Sequence, residues 1–356
     1  MNAGKSSARG ERGVESVKQP ERVIGSGWPR HLLSVSDLDA ETIGGILRVA
    51  DAFAEVARRP IPKVPTLRGK TVATLFAEES TRTRLSFETA ARRLSADVMS
   101  LSAVTSSIKK GESLRDTAET MAAMGVDALI VRHPCAGAPN QVAGFIDAAV
   151  INAGDGAHEH PTQALLDCYT IRQHLAEASK VPVERTGIEG FVGLRVCIVG
   201  DIRHSRVARS CVWAFSTLGC EVTLVGPGGL MPPSLDGWPI ASVSHDIEAV
   251  LPKTDVCYML RLQAERGSGS FLPSAREYTA SFGLTARRAA LLPEDAVVMH
   301  PGPMIRGLEI ADEVADLPRS VILRQVANGI AVRMAVLYLL LGTGDLLSEK
   351  GELQGA

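Results

Sequence analysis

The sequence has no surplus of either charge. Its 38 Lys plus Arg stand against 40 Asp plus Glu, for a net charge of −2. A general nucleic-acid or membrane-surface role needs a basic face, so the balance argues against both and leaves room only for a local basic pocket. The six cysteines, Cys135, Cys168, Cys197, Cys211, Cys220 and Cys257, form no CxxC pair and no zinc-ligand spacing. Several lie in apolar runs, which reads as small buried hydrophobes of a cytoplasmic, reducing environment. The first 27 residues, MNAGKSSARGERGVESVKQPERVIGSG, lack an apolar core, so they are not read as a secretory signal; their polar, Gly/Ser-rich composition predicts a disordered extension over 1–27. The most apolar stretch, MAVLYLLLG at 334–342, is too short to span a bilayer and reads as a core helix. No fixed-period repeat is evident.

What is present is an ordinary globular composition, 45% hydrophobic and 22% charged over 356 residues. That length suggests two domains at about 150 residues each. A first helix is expected within 37–59, capped by Ser34 or Ser36 and broken by Pro60, Pro62 and Pro65. TVATLF (71–76) is a short continuous apolar run, the mark of a buried parallel strand. Helical spacing follows from 81 to about 95, then a polar loop, LSAVTSSIKKGESL, then a helix over 112–124 closed by Gly125. DALIV and VINAG read as strands, PNQVAGFIDAA and TQALLDCYTIRQHL as helices. Residues 178–193 read as a connection. A second alternating series runs LRVCIVG strand, SRVARSCVWAFSTLG helix, EVTLVG strand, DIEAVLP helix, VCYML strand, a Gly/Ser-containing loop, LTARRAALL helix and AVVMH strand, and ends in the helix QVANGIAVRMAVLYLLL. The fold class is therefore α/β: two doubly wound parallel-sheet domains.

Ligands of open parallel sheets bind beyond the carboxyl ends of the strands. Polar residues follow nearly every strand here. They are Ser80, Thr81, Arg82 and Thr83; Arg132 and His133; His160, Thr162 and Gln163; Asp201, Arg203, His204 and Arg206; Arg261 and Gln263; and His300 with the backbone of Pro301–Gly302–Pro303. Their recurrence in both halves points to one anion-binding cleft between two domains. Single pieces have plainer readings. Ser80–Thr83 is either a helix cap with solvated arginines or a phosphate site built from helix N-terminal amides and Arg82. His160 alone reads as a hydrogen-bonded structural histidine, Arg261 as a surface residue, and Lys109 and Lys110 as solvated loop charges. VGDIRHS follows a strand without GxGxxG, so dinucleotide binding is not expected.

The strings FAEESTRTR (76–84), RHP (132–134), HPTQ (160–163) and RLQAER (261–266) resemble the transcarbamylases, and within them the aspartate carbamoyltransferase catalytic chains, over about residues 29–347. Ornithine carbamoyltransferases share STRTR but typically carry lysine in place of Glu78 and HCLP in place of HPGP. The resemblance implies transfer of a carbamoyl group from carbamoyl phosphate to L-aspartate, early in pyrimidine synthesis, without metal or organic cofactor. It implies a carbamoyl phosphate domain at 28–177 completed by the C-terminal helix (325–347), an aspartate domain at 178–324, and the active site in the cleft between them. Ser80, Thr81, Arg82 and Thr83 would hold the phosphate, and Thr83, Arg132 and His160 would polarise the carbamoyl oxygen. Gln163 with the carbonyls of Pro301 and Gly302 would hold the carbamoyl NH2, with Pro303 in the same site. Arg206, Arg261 and Gln263 would bind the aspartate carboxylates. Ser106 and Lys110 match residues that reach a neighbouring subunit's site, which implies a homotrimer with shared sites. Association with a regulatory chain or with dihydroorotase stays open. Some relatives have arginine where this chain has Met304, and Arg306 is left unassigned. Another amine acceptor such as ornithine, and a non-catalytic scaffold paralogue, are the competing readings.

Overall fold

The computed structural model describes residues 28–102, 111–263 and 274–342. The proposed disordered extension 1–27, and Ser106 and Lys110, lie outside these residues. In chain order the elements are α1 (Ala40–Arg58), β1 (Thr71–Phe76), α2 (Thr81–Arg93), β2 (Asp97–Ser102), α3 (Leu114–Ala123), β3 (Ala128–His133), α4 (Ala138–Phe145), β4 (Ala149–Asp155) and α5 (Pro161–Ser179). Then come β5 (Arg195–Val199), α6 (Arg206–Thr217), β6 (Glu221–Val225), β7 (Ser242–Ser244), α7 (Ile247–Val250), β8 (Val256–Met259), α8 (Ala275–Phe282), α9 (Ala286–Ala289), β9 (Val297–Met299), α10 (Asp312–Ala315) and α11 (Ile322–Leu341).

The strands form two sheets, ordered β2-β1-β3-β4 and β7-β6-β5-β8-β9, with every named pair parallel. The apolar run TVATLF becomes β1 because it is flanked on both sides and covered on both faces; Val72 to Phe76 are all buried. In α2 the helical spacing places Phe87, Ala90, Ala91 and then Leu94 on the buried side. Burying one large apolar side chain such as Phe87 stabilises by about 1.5–3 kcal/mol, which anchors the helix whose other end faces the cleft.

Three departures from the sequence reading have physical causes. The cap of α1 is Asp39, whose Oδ1 accepts from the Thr42 amide at 2.7 Å, rather than Ser34 or Ser36. Ser34 donates to Glu159 instead, and Ser36 offers its own amide to Ser34 Oγ at 3.0 Å. The edge strands β2 (DVMSLS) and β7 (SVS) go unpredicted because their half-exposed, serine-bearing faces lack a continuous apolar run. Helix α8 is hidden in a segment read as loop: Ser274 caps it, accepting from the Glu277 amide at 3.1 Å, and only Tyr278 and Phe282 are buried.

The core is built so that the two sheets share helices. One apolar cluster runs from α1, β1 and α2 through α5 and α11 to α6, β5 and β6. Helix α11 packs on α1, α2 and α5, which returns the last described element to the first sheet. It is long and apolar enough to cross a membrane by length and composition, longer than the 334–342 run suggested, but two thirds of it is buried within the protein.

Candidate functional site

A cleft of about 670 Å³ opens between the carboxyl ends of the two sheets. Its floor from the first sheet begins at the N-terminus of α2. Ser80 stands at the cap position with φ −160°, yet its hydroxyl makes no cap bond to the backbone. It donates to Thr83 Oγ1 at 3.0 Å instead. No acidic residue occupies the first turn of α2. The first amides therefore keep their positive ends toward the cleft, beside Thr81, Arg82 and the buried Thr83. Ser80–Thr83 is thus not a side-chain helix cap.

Arg132 lies one residue before the end of β3 in the first sheet, and Arg206 begins α6, which follows β5 of the second. Glu78 joins them. Arg132 Nη2 donates to Glu78 Oε1 at 2.7 Å, and Arg206 Nη2 donates to Glu78 Oε2 at 2.6 Å. Arg132 Nη1 also donates to the Ala153 carbonyl at 3.0 Å. This crowding explains Gly154. Its φ is +114°, and a Cβ there would lie 2.7 Å from Arg132 Nη1 and 2.8 Å from Arg206 Nη1. Gly302 makes the same allowance for Arg82: its φ is +66°, and a Cβ would sit 3.0 Å from the guanidinium carbon.

His160 is the cap residue of α5, with its amide donating to Ser210 Oγ at 2.8 Å and its ring buried. Burial, then Arg132, Arg333 and Arg206, hold its pKa well below the usual value, so the imidazole is neutral. Its Nδ1 is buried without a hydrogen-bond partner. Gln163 turns its amide nitrogen to Asp167 Oδ1 and Oδ2, at 3.0 and 3.2 Å. His300 accepts the Gly302 amide at Nδ1, 2.8 Å, which shapes the Pro301–Pro303 turn; burial, Arg82 and Arg261 lower its pKa to about 3.

The second sheet supplies Arg261 and Gln263 after β8. The Leu262 amide donates to buried Glu309 Oε1 at 3.1 Å, and the Gln263 amide to buried Asp201 Oδ2 at 3.3 Å. Glu309 Oε2 also accepts the Ile305 amide at 2.8 Å, tying this segment to the turn after β9.

Five arginines line the cleft among the described residues, Arg82, Arg132, Arg206, Arg261 and Arg333, against Glu78 and Glu79. Arg132 falls to about 10, chiefly through burial and then through Arg206, and Arg333 to about 10 through burial, so both remain protonated at neutral pH. The cleft is a cationic pocket in a chain of nearly zero net charge, fit for a ligand with several negative charges.

The structure brings together Ser80, Thr81, Arg82, Thr83, Arg132, His160, Gln163, Arg206, Arg261, Gln263, His300, Gly302 and Pro303. It leaves out other strand-end residues. His133 Nδ1 accepts the Cys135 amide at 3.0 Å, Thr162 is buried away from the cleft, and Asp201 and His204 bond each other at 2.9 Å. Met304 lines the cleft, whereas Arg306 pairs with Asp316 at 2.8 Å on the surface and does not reach it. Sequence reasoning missed Glu78 as the link between the arginines, and Arg333, whose Nη1 donates to Ser86 Oγ at 2.7 Å. A lone arginine inside the apolar run ANGIAVRMAVLYLL was the available signal.

Residues 30–173 match the carbamoyl-P binding domain of the Aspartate/ornithine carbamoyltransferase family, and residues 192–340 match its Asp/Orn binding domain. The chain is 57% identical to the aspartate carbamoyltransferase catalytic subunit of Parafrankia sp. over 88% of this chain and 96% of that one. It is 58% identical to that of Acidothermus cellulolyticus over 89% and 94%. Among solved structures, Trypanosoma cruzi aspartate transcarbamoylase in complex with N-(phosphonacetyl)-L-aspartic acid aligns with TM-score 0.77 at 30% identity, covering 88% of this chain and 96% of that chain. The catalytic subunit of M. Jannaschii aspartate transcarbamoylase aligns with TM-score 0.73 at 34% identity, over 87% of this chain and 97% of that chain. The chain belongs to the aspartate/ornithine carbamoyltransferase family.

Proposed function

We propose that this chain transfers the carbamoyl group of carbamoyl phosphate to the amino group of L-aspartate, giving N-carbamoyl-L-aspartate and phosphate. The observation that carries the reading is the division of one cationic cleft: an uncapped helix N-terminus beside Arg82 on one sheet, and the forked donors Arg206 and Arg261 on the other. The first suits a phosphate and the second a dicarboxylate.

In this reading Ser80, Thr81, Arg82 and Thr83 hold the phosphate. Thr83, Arg132 and His160 stabilise the negative charge that grows on the carbamoyl oxygen as the amine attacks. A neutral His160 serves as a hydrogen-bond donor rather than an acid, in keeping with its depressed pKa. Gln163 and the carbonyls of Pro301 and Gly302 accept from the carbamoyl NH2, with Pro303 completing that turn. Arg206, Arg261 and Gln263 orient aspartate. The amine enters neutral, the N–C bond forms as the C–O bond to phosphate breaks, and the departing phosphate takes the amine proton. Rate then comes from orientation and preorganised charge, with no side-chain nucleophile.

The proposed organisation is a carbamoyl phosphate domain at 28–177 completed by the C-terminal segment 325–347, which begins within α11, and an aspartate domain at 178–324. A homotrimer completed by Ser106 and Lys110 from the neighbouring subunit, and a cytoplasmic location, belong to the same reading. Replacing Arg261 with alanine tests the second half of the site. Losing one charged hydrogen-bonding group costs about 1.5–3 kcal/mol, so KM for aspartate is expected to rise roughly 10- to 100-fold with little change for carbamoyl phosphate. Equal effects on both substrates in steady-state assays would count against the assignment.

A further inference from the structure

Asp167 lies on α5 one turn beyond Gln163 and is fully buried. Its two oxygens receive donors from both halves of the molecule. Besides Gln163 Nε2, they accept Tyr258 Oη from β8 at 2.7 Å, Gln325 Nε2 from α11 at 2.7 Å and Cys211 Sγ from α6 at 3.5 Å. An ionised carboxylate only accepts hydrogen bonds, so each glutamine must turn its nitrogen to Asp167. For Gln163 this leaves the carbonyl oxygen for the cleft. For Gln325 it leaves the carbonyl oxygen to accept the His300 amide at 3.0 Å, which fixes the start of the turn carrying Pro301, Gly302 and Pro303.

We propose that Asp167 is a positioning residue for recognition of the carbamoyl NH2: by holding the nitrogens of two glutamines it sets the Gln163 oxygen and the His300–Pro303 turn as acceptors facing one donor. The inference deepens the proposed carbamoyl transfer and rests on that reading. Satisfying an anion with four donors in a dry site makes the amide orientation a fixed property of the fold rather than something the substrate must induce. Burial raises the Asp167 pKa to about 6, held down by these donors, which leaves it ionised above neutral pH.

The test compares carbamoyl phosphate with acetyl phosphate, in which a methyl group replaces the NH2, each with L-aspartate and the full chain. Asp167→Leu keeps the shape but removes both acceptor oxygens, so neither glutamine nitrogen is held any longer. The ratio of kcat/KM for carbamoyl over acetyl phosphate is expected to fall roughly tenfold or more, because a site built to hydrogen-bond a group loses its selectivity when the partner is turned away. A merely structural role would lower both donors equally, and that result would overturn the proposal. If Asp167→Leu does not fold, Gln325→Met, which cuts the second arm at similar volume, is read the same way: a fallen ratio supports the inference and an unchanged ratio overturns it. Wild-type protein that discriminates poorly between the two donors would also overturn it, whereas wild-type protein inactive with carbamoyl phosphate would sink the underlying reading instead.

Discussion

Arg82→Ala is expected to abolish measurable carbamoyl phosphate binding and to lower turnover by roughly 10²- to 10³-fold, the scale on which one preorganised donor at developing charge contributes. The expectation follows from local structure. Ser80 leaves the first turn of α2 uncapped by any side chain, and Arg82 packs over Gly302, where a Cβ would crowd the guanidinium at 3.0 Å. The guanidinium therefore sits beside the helix amides, where an anion would meet both. Removing it takes away a charge-assisted, forked contact that the amides cannot replace. Calorimetric titration checks this directly, and tight binding of carbamoyl phosphate by the variant would sink the phosphate site. The fold should survive, since α2 is anchored by Phe87, Ala90 and Ala91 on its other face.

Lys110→Ala is expected to be as damaging to activity while leaving fold and assembly unchanged. The proposed trimer shares its sites, so a defect in a donated lysine and a defect in the resident Arg82 fall in different subunits. Mixing the two inactive variants should then produce some sites that carry both native residues. Random exchange between equal amounts of two trimers gives such hybrid sites at roughly a quarter of all sites, so recovery to about a quarter of wild-type activity is expected under closed cyclic symmetry. Activity of the mixture is compared with each variant alone, after mass measurement confirms subunit exchange. Absence of recovery in confirmed hybrids would argue against shared sites.

How much was legible beforehand depended on burial. β1 was read to the residue because both of its faces are covered, so its signal is a continuous apolar run. β2 and β7 were not, because an edge strand with serines on a half-exposed face has the composition of a loop. The cleft residues were legible as a list, since strand order in a parallel sheet sends their carboxyl ends to one side. Their connections were not. Glu78 precedes STRTR by two residues and looks like a solvated charge, yet it receives guanidinium groups from β3 and α6, 54 and 128 positions away. The fate of the five strand-end residues that do not line the cleft, His133, Thr162, Asp201, Arg203 and His204, was equally invisible. Position along the chain gives proximity to the cleft, but the rotamer that decides whether a side chain enters it depends on partners far away in sequence. Asp167 and Arg333 made the opposite case. Each is a charge flanked by apolar residues and buried in its helix, a placement that costs several kcal/mol unless paired, so such a position signals a partner without naming it.

The most direct test of the account offers carbamoyl phosphate to the purified protein with L-aspartate and L-ornithine in parallel. The account predicts N-carbamoyl-L-aspartate and no citrulline, because Arg206 and Arg261, proposed to bind the acceptor, line a cleft whose Glu78 is already held by two arginines. Citrulline from ornithine would contradict the assignment of the acceptor half while leaving the phosphate half standing.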